Sequence, residues 1–511
     1  MGQYLLGLDN GNTVSKAALF DLRGKELQVA SRKVETYYPK PGWTERSMDS
    51  LWQGTTGAIR EVIAKAGIKP EEIVGIGSSG HGNGVYLLDK AGEPAWNGLQ
   101  SLDTRATEIV DGWNTIALRD QAFPHTLQSF WPAQPNALLA WFKQHEPAVY
   151  ERIGAVLLCK DYINYCLTGE IRSDYTDMSA TSLLDVPNRC YSAELMALYG
   201  IPEMMEALPR PAYSFEVIGN VTSKAAAATG LAAGTPVVGG LFDVDASAIG
   251  AGVTQPGQAC IIVGSWSINE VVTAKPIVSP DIFMTTLFAD PEYWLTIEAS
   301  ATSATNLEWF VNQFCAEERL EANRRGVSVY EVCNEVVANV PVESASLIFH
   351  PFLYGSNVQA TARAGFYGVG GWHTRAHLLR ALYEGVVYSH LNHAEKLRQA
   401  GADFDIVRLT GGGARSEVWT QMFADTLEVL IEVPDGMETG AHGAAISAGI
   451  GAGIYTNYTE AVEQAVSVVR VHEPDQRRTP LYLARYEEYK QLLEAMSQPW
   501  DRLAHLKIFT I

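Results

Sequence analysis

A chain of 511 residues with 47% apolar content is too apolar for disorder and long enough for roughly two to four domains of ordinary size. Its 38 Lys and Arg against 58 Asp and Glu leave a formal charge of −20, which excludes a general binder of nucleic acid or anionic membrane but leaves room for local phosphate sites. Six cysteines (Cys159, Cys166, Cys190, Cys260, Cys315, Cys333) include no CxxC pair, and the opening MGQYLLGLDNG lacks a basic segment before an apolar one; the expectation is reduced thiols in a cytoplasmic protein without a secretory signal.

The chain opens with a strand pattern over Tyr4–Leu8 that ends in Asp9-Asn10-Gly11-Asn12. Extended runs over Ser15–Phe20 and Glu26–Arg32 follow, giving a meander with a carboxylate at its first strand end. Leu51, Ile59, Val62 and Ile63 predict an amphipathic helix over Ser50–Gly67, and strands follow over Glu72–Gly77 and Val85–Asp89. Short helices are predicted over Asn136–His145, Ala148–Ile153 and Lys160–Leu167. Near Gly234-Thr235-Pro236 the pattern restarts: a strand over Val237–Gly240 leads to Asp243, a helix covers Asp245–Ala251, and strands over Ala259–Val263 and Ser267–Val272 flank Gly264-Ser265. Helices over Leu307–Glu318, Val329–Ala338, Arg375–Ala400, Ser416–Leu427 and Gly440–Gly449 and strands over Asp405–Thr410 and Val429–Val433 come next, then one or two charged helices over Pro480–Met496. This alternation predicts α/β domains, divided near residue 250 into 1–250 and 251–511, with the active site in a cleft beyond the strands' carboxyl ends.

Gly75-Ile76-Gly77-Ser78-Ser79-Gly80 has the form GxGxxG, but it leads into another strand instead of a helix whose N-terminus would hold a pyrophosphate. No Walker A motif is present. Asp9 with Gly11, Asn12, Thr13 and Lys16 has two readings: a polar turn whose N–H groups cradle phosphate, with Asp9 orienting Mg²⁺ through water, or a plain hairpin with a salt-linked lysine. Gly264-Ser265-Trp266-Ser267 is its counterpart, and two such turns would clamp ATP. Asp243 or Asp245 can accept the proton of a hydroxyl attacking phosphorus while the other caps a helix; local sequence does not choose between them. Asp103 and Arg105 read as polyol clamps, or as a surface salt bridge or helix start. His81, flanked by glycines, reads as open to a ligand or as a turn histidine. Gly411-Gly412-Gly413 lets a base or phosphate approach closely, or is a tight strand-to-helix turn. The pairs His373/His377 and His390/His393 lack a carboxylate that would complete a metal signature and read as ordinary helix histidines.

Taken together, these segments resemble the FGGY carbohydrate kinases of the actin-like, ribonuclease-H-like ATPase superfamily, nearly end to end. Asp9–Lys16 is similar to the family's first phosphate loop, Pro41-Gly42-Trp43-Thr44-Glu45 to its PGWxE segment, and Asp103-Thr104-Arg105 to its DxR substrate segment. Leu138–Pro147 (without the usual preceding lysine), Lys160–Glu170 and Asp174–Ser179 follow its next patterns. Gly239–Asp243 resembles the catalytic-aspartate segment, Gly264–Ser267 the second phosphate loop (with Ser265 for Thr), Ala364–Gly385 the second signature, and Gly411–Ser416 with Trp419 the adenosine-side segment. The resemblance implies two ribonuclease-H-like domains flanking a deep cleft, and an ATP- and Mg²⁺-dependent kinase of a small sugar, for which a homodimer is the family's common habit. It implies Asp243 as general base, Asp9 and Asp243 toward the metal, and His81, Gly82, Asp103 and Arg105 toward the sugar. Asp9, Gly11, Asn12, Thr13, Lys16, Gly264, Ser265, Gly411, Gly412, Gly413 and Ser416 fall toward the nucleotide. The wording around Gly75–Ser78, Gly239–Asp243 and Pro351–Asn357 looks most like L-xylulose kinases. Other pentuloses (D-xylulose, ribulose) and linear polyols such as erythritol are the alternatives, and a non-catalytic sugar-binding protein is the remote one.

Overall fold

Period-two alternation in the first strand sets up the first unit. In β1 (Tyr4–Asn10), Leu6 and Leu8 point to one face of the sheet, where they join Leu51, Ile59 and Val62 of the Met48–Ala66 helix in a buried core. Ser47 starts that helix by accepting the Ser50 N–H, and Gly67 ends it in the left-handed conformation. β1 pairs antiparallel with β2 (Val14–Asp21), which pairs antiparallel with β3 (Glu26–Lys33). On its other side β1 runs parallel to β4 (Ile73–Gly80). Beyond β4 lie β5 (Val217–Asn220) and β6 (Pro236–Val238), giving the order β5-β6-β4-β1-β2-β3, while β7 (Leu241–Phe242) also pairs with β4.

The opposite face of this sheet is built for close approach. A Cβ on Gly7 would lie 1.8 Å from the Ala441 carbonyl oxygen, and one on Gly77 1.9 Å from that of Ala444. Both contacts belong to the Thr439–Gly451 helix, TGAHGAAISAGIG, whose small residues let its backbone rest on the strands. The helix's other side meets the Asp243–Ala251 helix equally closely: a Cβ on Gly443 would lie 2.0 Å from the Ala246 oxygen, and one on Gly250 2.0 Å from that of Thr439.

The second unit repeats the plan. β8 (Gln258–Val263) and β9 (Ser267–Thr273) form a hairpin, β10 (Ile406–Thr410) runs parallel to β8, β11 (Leu430–Pro434) parallel to β10, and β12 (Val468–His472) antiparallel to β11. That order, β9-β8-β10-β11-β12, matches β2-β1-β4-β6-β5 in every strand direction. Arg375–Gln399 and Glu417–Leu427 are its principal helices.

This computed structural model describes residues 2–506 except 345, 357 and 437, so Asn357 of the segment noted above lies outside the described residues. The two compact units are discontinuous: Met1–Pro256, Val272–Thr296 and Gly436–Ser467 form one, and Gly257–Val271, Ile297–Asp435 and Val468–Ile511 the other. Several expected elements differ. The helix over Ala148–Ile153 is one turn, Pro147–Tyr150, because Ile153–Leu157 is drawn into a ladder with Tyr86–Asp89. The helix over Leu307–Glu318 breaks at Cys315 into Thr305–Phe314 and Ala316–Arg325. The tail is a single helix, Thr479–Ala504. All six cysteines are free, with Cys190 exposed. Among the described residues no helix is long and apolar enough to cross a membrane.

Gly443→Ala separates helix propensity from packing. Propensity alone predicts a gain of about 1 kcal/mol, whereas overpacking against Ala246 predicts a net loss of about 1–3 kcal/mol. Gly57→Ala, whose Cβ would meet only the flexible Arg32 side chain at 3.4 Å, is the matched control and should stabilise. Urea unfolding midpoints of the two variants should move in opposite directions.

Candidate functional site

Each hairpin closes on a three-residue turn, Gly11–Thr13 between β1 and β2 and Gly264–Trp266 between β8 and β9. In the first, Arg46 Nη2 donates to the Gly11 carbonyl at 3.1 Å and also to that of Asn12, which accepts from Gln100 Nε2 as well. The Thr13 carbonyl accepts from the Val34 N–H at 2.9 Å. All three carbonyls therefore face protein donors. The Gly11 N–H is bonded to the Val14 carbonyl, while those of Asn12 and Thr13 have no acceptor among the described residues. The second turn has the same polarity. Ala304 N–H donates to the Gly264 carbonyl at 2.8 Å, Ser303 N–H to that of Ser265 at 3.2 Å, and Gly264 N–H to that of Trp266 at 3.3 Å. The N–H groups of Ser265 and Trp266 have no acceptor among the described residues. Two adjacent free N–H groups on a tight turn form an anion-binding concavity.

Asp9 is the penultimate residue of β1, half-buried, with Ser79 Oγ donating to its Oδ1 at 3.0 Å and Gly440 so near that a Cβ there would lie 3.3 Å from Asp9 Cγ. Burial pushes the Asp9 carboxyl up, opposed by the charge of Lys16. Lys16 pairs with Glu438 at 2.6 Å, a partner 422 residues away. Asp243 is the first residue of its helix and half-buried, whereas Asp245 is fully buried. Burial, with the charge of Asp9 second, pushes the Asp243 carboxyl up to about 7.

Beneath the Asp243 segment lies a network without solvent exposure. Lys160 Nζ sits 2.8 Å from Asp174 and also pairs with Asp161 and Asp177. Asp174 accepts from Thr176 Oγ1 at 2.6 Å, and Thr176 Oγ1 accepts the Phe242 N–H at 2.9 Å. The Phe242 ring covers Gly82, where a Cβ would lie 2.2 Å away.

The other expected residues are arranged less simply. His81 is not open: its ring is buried, Nε2 lies 2.9 Å from the Tyr86 hydroxyl, and burial with the Arg46 charge lowers its pKa to about 3, so it is neutral. Asp103 and Arg105 form no surface bridge. Arg105 Nε meets Asp103 Oδ1 at 2.8 Å and Nη2 meets Glu45 at 2.8 Å, with both side chains buried and the guanidinium 4.4 Å from the Trp43 ring centroid. Asp103 Oδ2 accepts the Thr44 N–H at 2.7 Å, so the ion pair braces the loop that carries Arg46. His390 and His393 are interior, bonded to Asn269 and Glu298.

In the second unit, a cavity of about 590 Å³ is lined by Gly264, Ser265, Tyr330, Asn334, Gly412, Gly413, Ser416 and Trp419. Gly411, at φ +83°, turns the chain off β10 at a point where a Cβ would lie 2.8 Å from the Val263 oxygen. Ser416 Oγ caps the next helix by accepting the Trp419 N–H and donates to Asn334 Oδ1 at 2.7 Å. The size and lining suit a nucleoside.

Asp9 and Asp243 fit a hard divalent cation held by one or two carboxylates and water, since their charges already oppose each other. Among the described residues no group of three His, Cys, Asp or Glu forms a protein-only metal cage.

Residues 4–250 match the N-terminal domain of the FGGY family of carbohydrate kinases and residues 259–452 its C-terminal domain. The chain belongs to that family. It is 39% identical over 503 residues to the L-xylulose/3-keto-L-gulonate kinase of Escherichia coli (strain K12), covering 97% of this chain and 98% of that one. It is 38% identical to a protein of Pasteurella multocida (strain Pm70) named "Probable L-xylulose kinase", covering 96% and 99%. The crystal structure of the xylulose kinase from Rhodospirillum rubrum superimposes with a TM-score of 0.87 at 28% identity, covering 98% and 100%.

Sequence reasoning missed Arg46, Gln100, Glu438, Tyr330 and Asn334. Arg46 directly follows the Pro41–Glu45 segment and was within reach; Glu438 pairs with Lys16 across a distance that leaves no local signature.

Removing Arg105 tests whether its pair is part of the frame. Arg105→Ala would leave Asp103 and Glu45 buried without their cation and should destabilise by about 3–5 kcal/mol in guanidinium unfolding, whereas an exposed clamp would lose no more than about 1 kcal/mol.

Proposed function

We propose that the chain transfers the γ-phosphoryl group of ATP to the terminal hydroxyl of a ketopentose, L-xylulose first, giving the 5-phosphate. The observation that carries this reading is Asp243: a carboxylate at a helix start, raised to about 7 and directly following β7, which the Gly239-Gly240 link joins to β6. A base with that affinity for protons is matched to a hydroxyl deprotonating as it attacks phosphorus near neutral pH. L-Xylulose is favoured because the names of two relatives at 38–39% identity carry it. D-Xylulose, ribulose and erythritol are the alternatives.

The roles follow from position. Asp243 accepts the proton of the attacking oxygen. The N–H groups of Asn12 and Thr13, with Lys16 behind them, hold the transferring phosphoryl oxygens, as donors fixed in place before the charge develops. Gly264 and Ser265 offer the matching donors to the remaining phosphates, and the Gly411–Gly413 turn with Ser416 seats the nucleoside in the second unit's cavity. Gly11 shapes the first turn. His81, neutral and held by Tyr86, and Gly82 border the sugar; Asp103 and Arg105 serve it by bracing the loop. In this reading the acceptor function belongs to the unit of Met1–Pro256, Val272–Thr296 and Gly436–Ser467 and the nucleotide function to the other, in place of the contiguous halves 1–250 and 251–511. Asp9 and Asp243 would hold Mg²⁺, which when bound would neutralise charge on the phosphates.

Coupled ADP-release assays with L-xylulose, D-xylulose, L-ribulose, D-ribulose, 3-keto-L-gulonate, erythritol and glycerol test the reading. L-Xylulose should give the highest kcat/KM, and Asp243→Asn should lower kcat by at least about 100-fold with ATP binding retained. Near-normal turnover in Asp243→Asn would remove the base, and a polyol preference would replace the substrate. Because the base must be deprotonated to act, kcat/KM for the sugar should fall about tenfold per pH unit below the base's apparent pKa and level off above it; burial raises that pKa and Mg²⁺ on Asp243 would lower it, so the acid limb should move to lower pH as Mg²⁺ is increased.

A further inference from the structure

We propose that Arg46 is a positioning residue that presets the Gly11–Thr13 turn for a phosphoryl group, drawing its carbonyl oxygens inward so that the Asn12 and Thr13 N–H groups remain free. The inference rests on the kinase reading above. Arg46 has no solvent exposure and makes no ion pair with a carboxylate among the described residues. Glu45, its neighbour in sequence, is occupied by Arg105, Trp96 and Asn97. A guanidinium buried without a counter-ion is unfavourable by several kcal/mol unless something offsets it. Here Nη2 reaches the carbonyls of Gly11 and Asn12 and nothing more strongly charged.

Two consequences follow from that arrangement. A peptide whose carbonyl is fixed on one side presents its N–H to the other, so the grip decides which face of the turn is positive. Carbonyl dipoles also leave most of the cation's charge uncompensated, directed through the turn toward the place where phosphoryl oxygens gather negative charge. The second turn achieves the same polarity with backbone N–H groups of Ser303 and Ala304 and the Thr305 hydroxyl, and with no cation among the described residues. The charge is thus reserved for the turn beside Asp9 and Asp243, two carboxylates that would otherwise repel an incoming phosphate.

Arg46→Met and Arg46→Lys in the full chain test this. Apolar replacement of a buried charge is often tolerated by the fold, so Arg46→Met should remain folded by circular dichroism. It should lose about 100-fold in kcat, the scale for losing one preorganised donor, while KM for L-xylulose and affinity for MgADP stay within about twofold. Binding of MgADP with aluminium fluoride and sugar, a planar phosphoryl mimic, should weaken in parallel with kcat. Arg46→Lys should recover about tenfold of the loss by restoring charge without the two-point grip. If Arg46→Met does not fold, Arg46→Gln is read on the same scale. A kcat within about threefold of the parent, or equal losses for MgADP and its aluminium fluoride complex, would overturn the inference. Asp243→Asn separates the two levels: if it is inactive while Arg46→Met is active, only the role of Arg46 fails, and if it is active the kinase assignment of the base fails first.

Discussion

The Thr439–Gly451 helix lies backbone against backbone on the first sheet and on the Asp243–Ala251 helix, and the geometry of the first unit depends on that contact. Carbonyls of Ala441 and Ala444 sit where side chains of Gly7 and Gly77 would be, and Gly443 and Gly250 make the same concession on the other side. Close-packed interiors transmit such contacts rigidly. The helix therefore fixes the separation between the end of β1, which carries Asp9, and the start of the helix that carries Asp243. Gly440 lies against Asp9, and Glu438, just ahead of the helix, holds Lys16. One segment made of small residues thus places two carboxylates and a lysine.

The charges at this site are held in tension. Burial and the charge of Asp9 raise the cost of ionising Asp243, while Lys16 relieves Asp9 and is itself shared with Glu438. Beneath them Lys160 is enclosed by three carboxylates, a cluster tied to the Asp243 segment through Thr176, which accepts the Phe242 N–H, and through Ser214, which donates to Asp174 while its carbonyl accepts the Gly240 N–H. Buried polar networks rigidify what they hold to the extent that their members are satisfied; here Asp161 and Asp174 are hydrogen-bonded, whereas Asp177 meets Lys160 only as an ion pair at 3.4 Å. The same chain of contacts reaches Gly82, next to His81, through the Phe242 ring, so the proposed base and the proposed sugar border are parts of one packed unit.

Much of this was legible in the sequence because it is written locally. The meander, the repeated hairpin, the Gly239–Asp243 approach and the Gly411–Ser416 turn each fall within a dozen residues, and period-two or period-3.6 spacing locates them. The failure of Gly75–Gly80 as a dinucleotide loop was legible too, from the strand that follows; its glycines serve helix packing instead. What escaped is non-local. The strand Ile153–Leu157 was hidden because its ladder partner lies some 70 residues earlier, and a helix pattern ran into it. His81 looked open because its neighbours in sequence are glycines, yet its cover comes from Tyr86 and the surrounding fold. Asp103 and Arg105 read as polyol clamps or as a surface bridge, and their buried pairing escaped because their tryptophan and Glu45 partners are far away in the chain.

The chain's route between its units has a consequence for biosynthesis. The first unit is left at Pro256 and completed only by Gly436–Ser467, which contains the close-packed helix. A ribosome emitting about 5–20 residues per second releases β1, β4 and the Asp243 segment long before the piece that locks them together. Until then the glycine-lined face of the sheet is uncovered, and Asp9 and Asp243 have no fixed separation. The nascent protein thus carries Asp9 and Asp243 early but acquires their spacing late, so a chain truncated before that helix would hold both carboxylates without the segment that sets the distance between them.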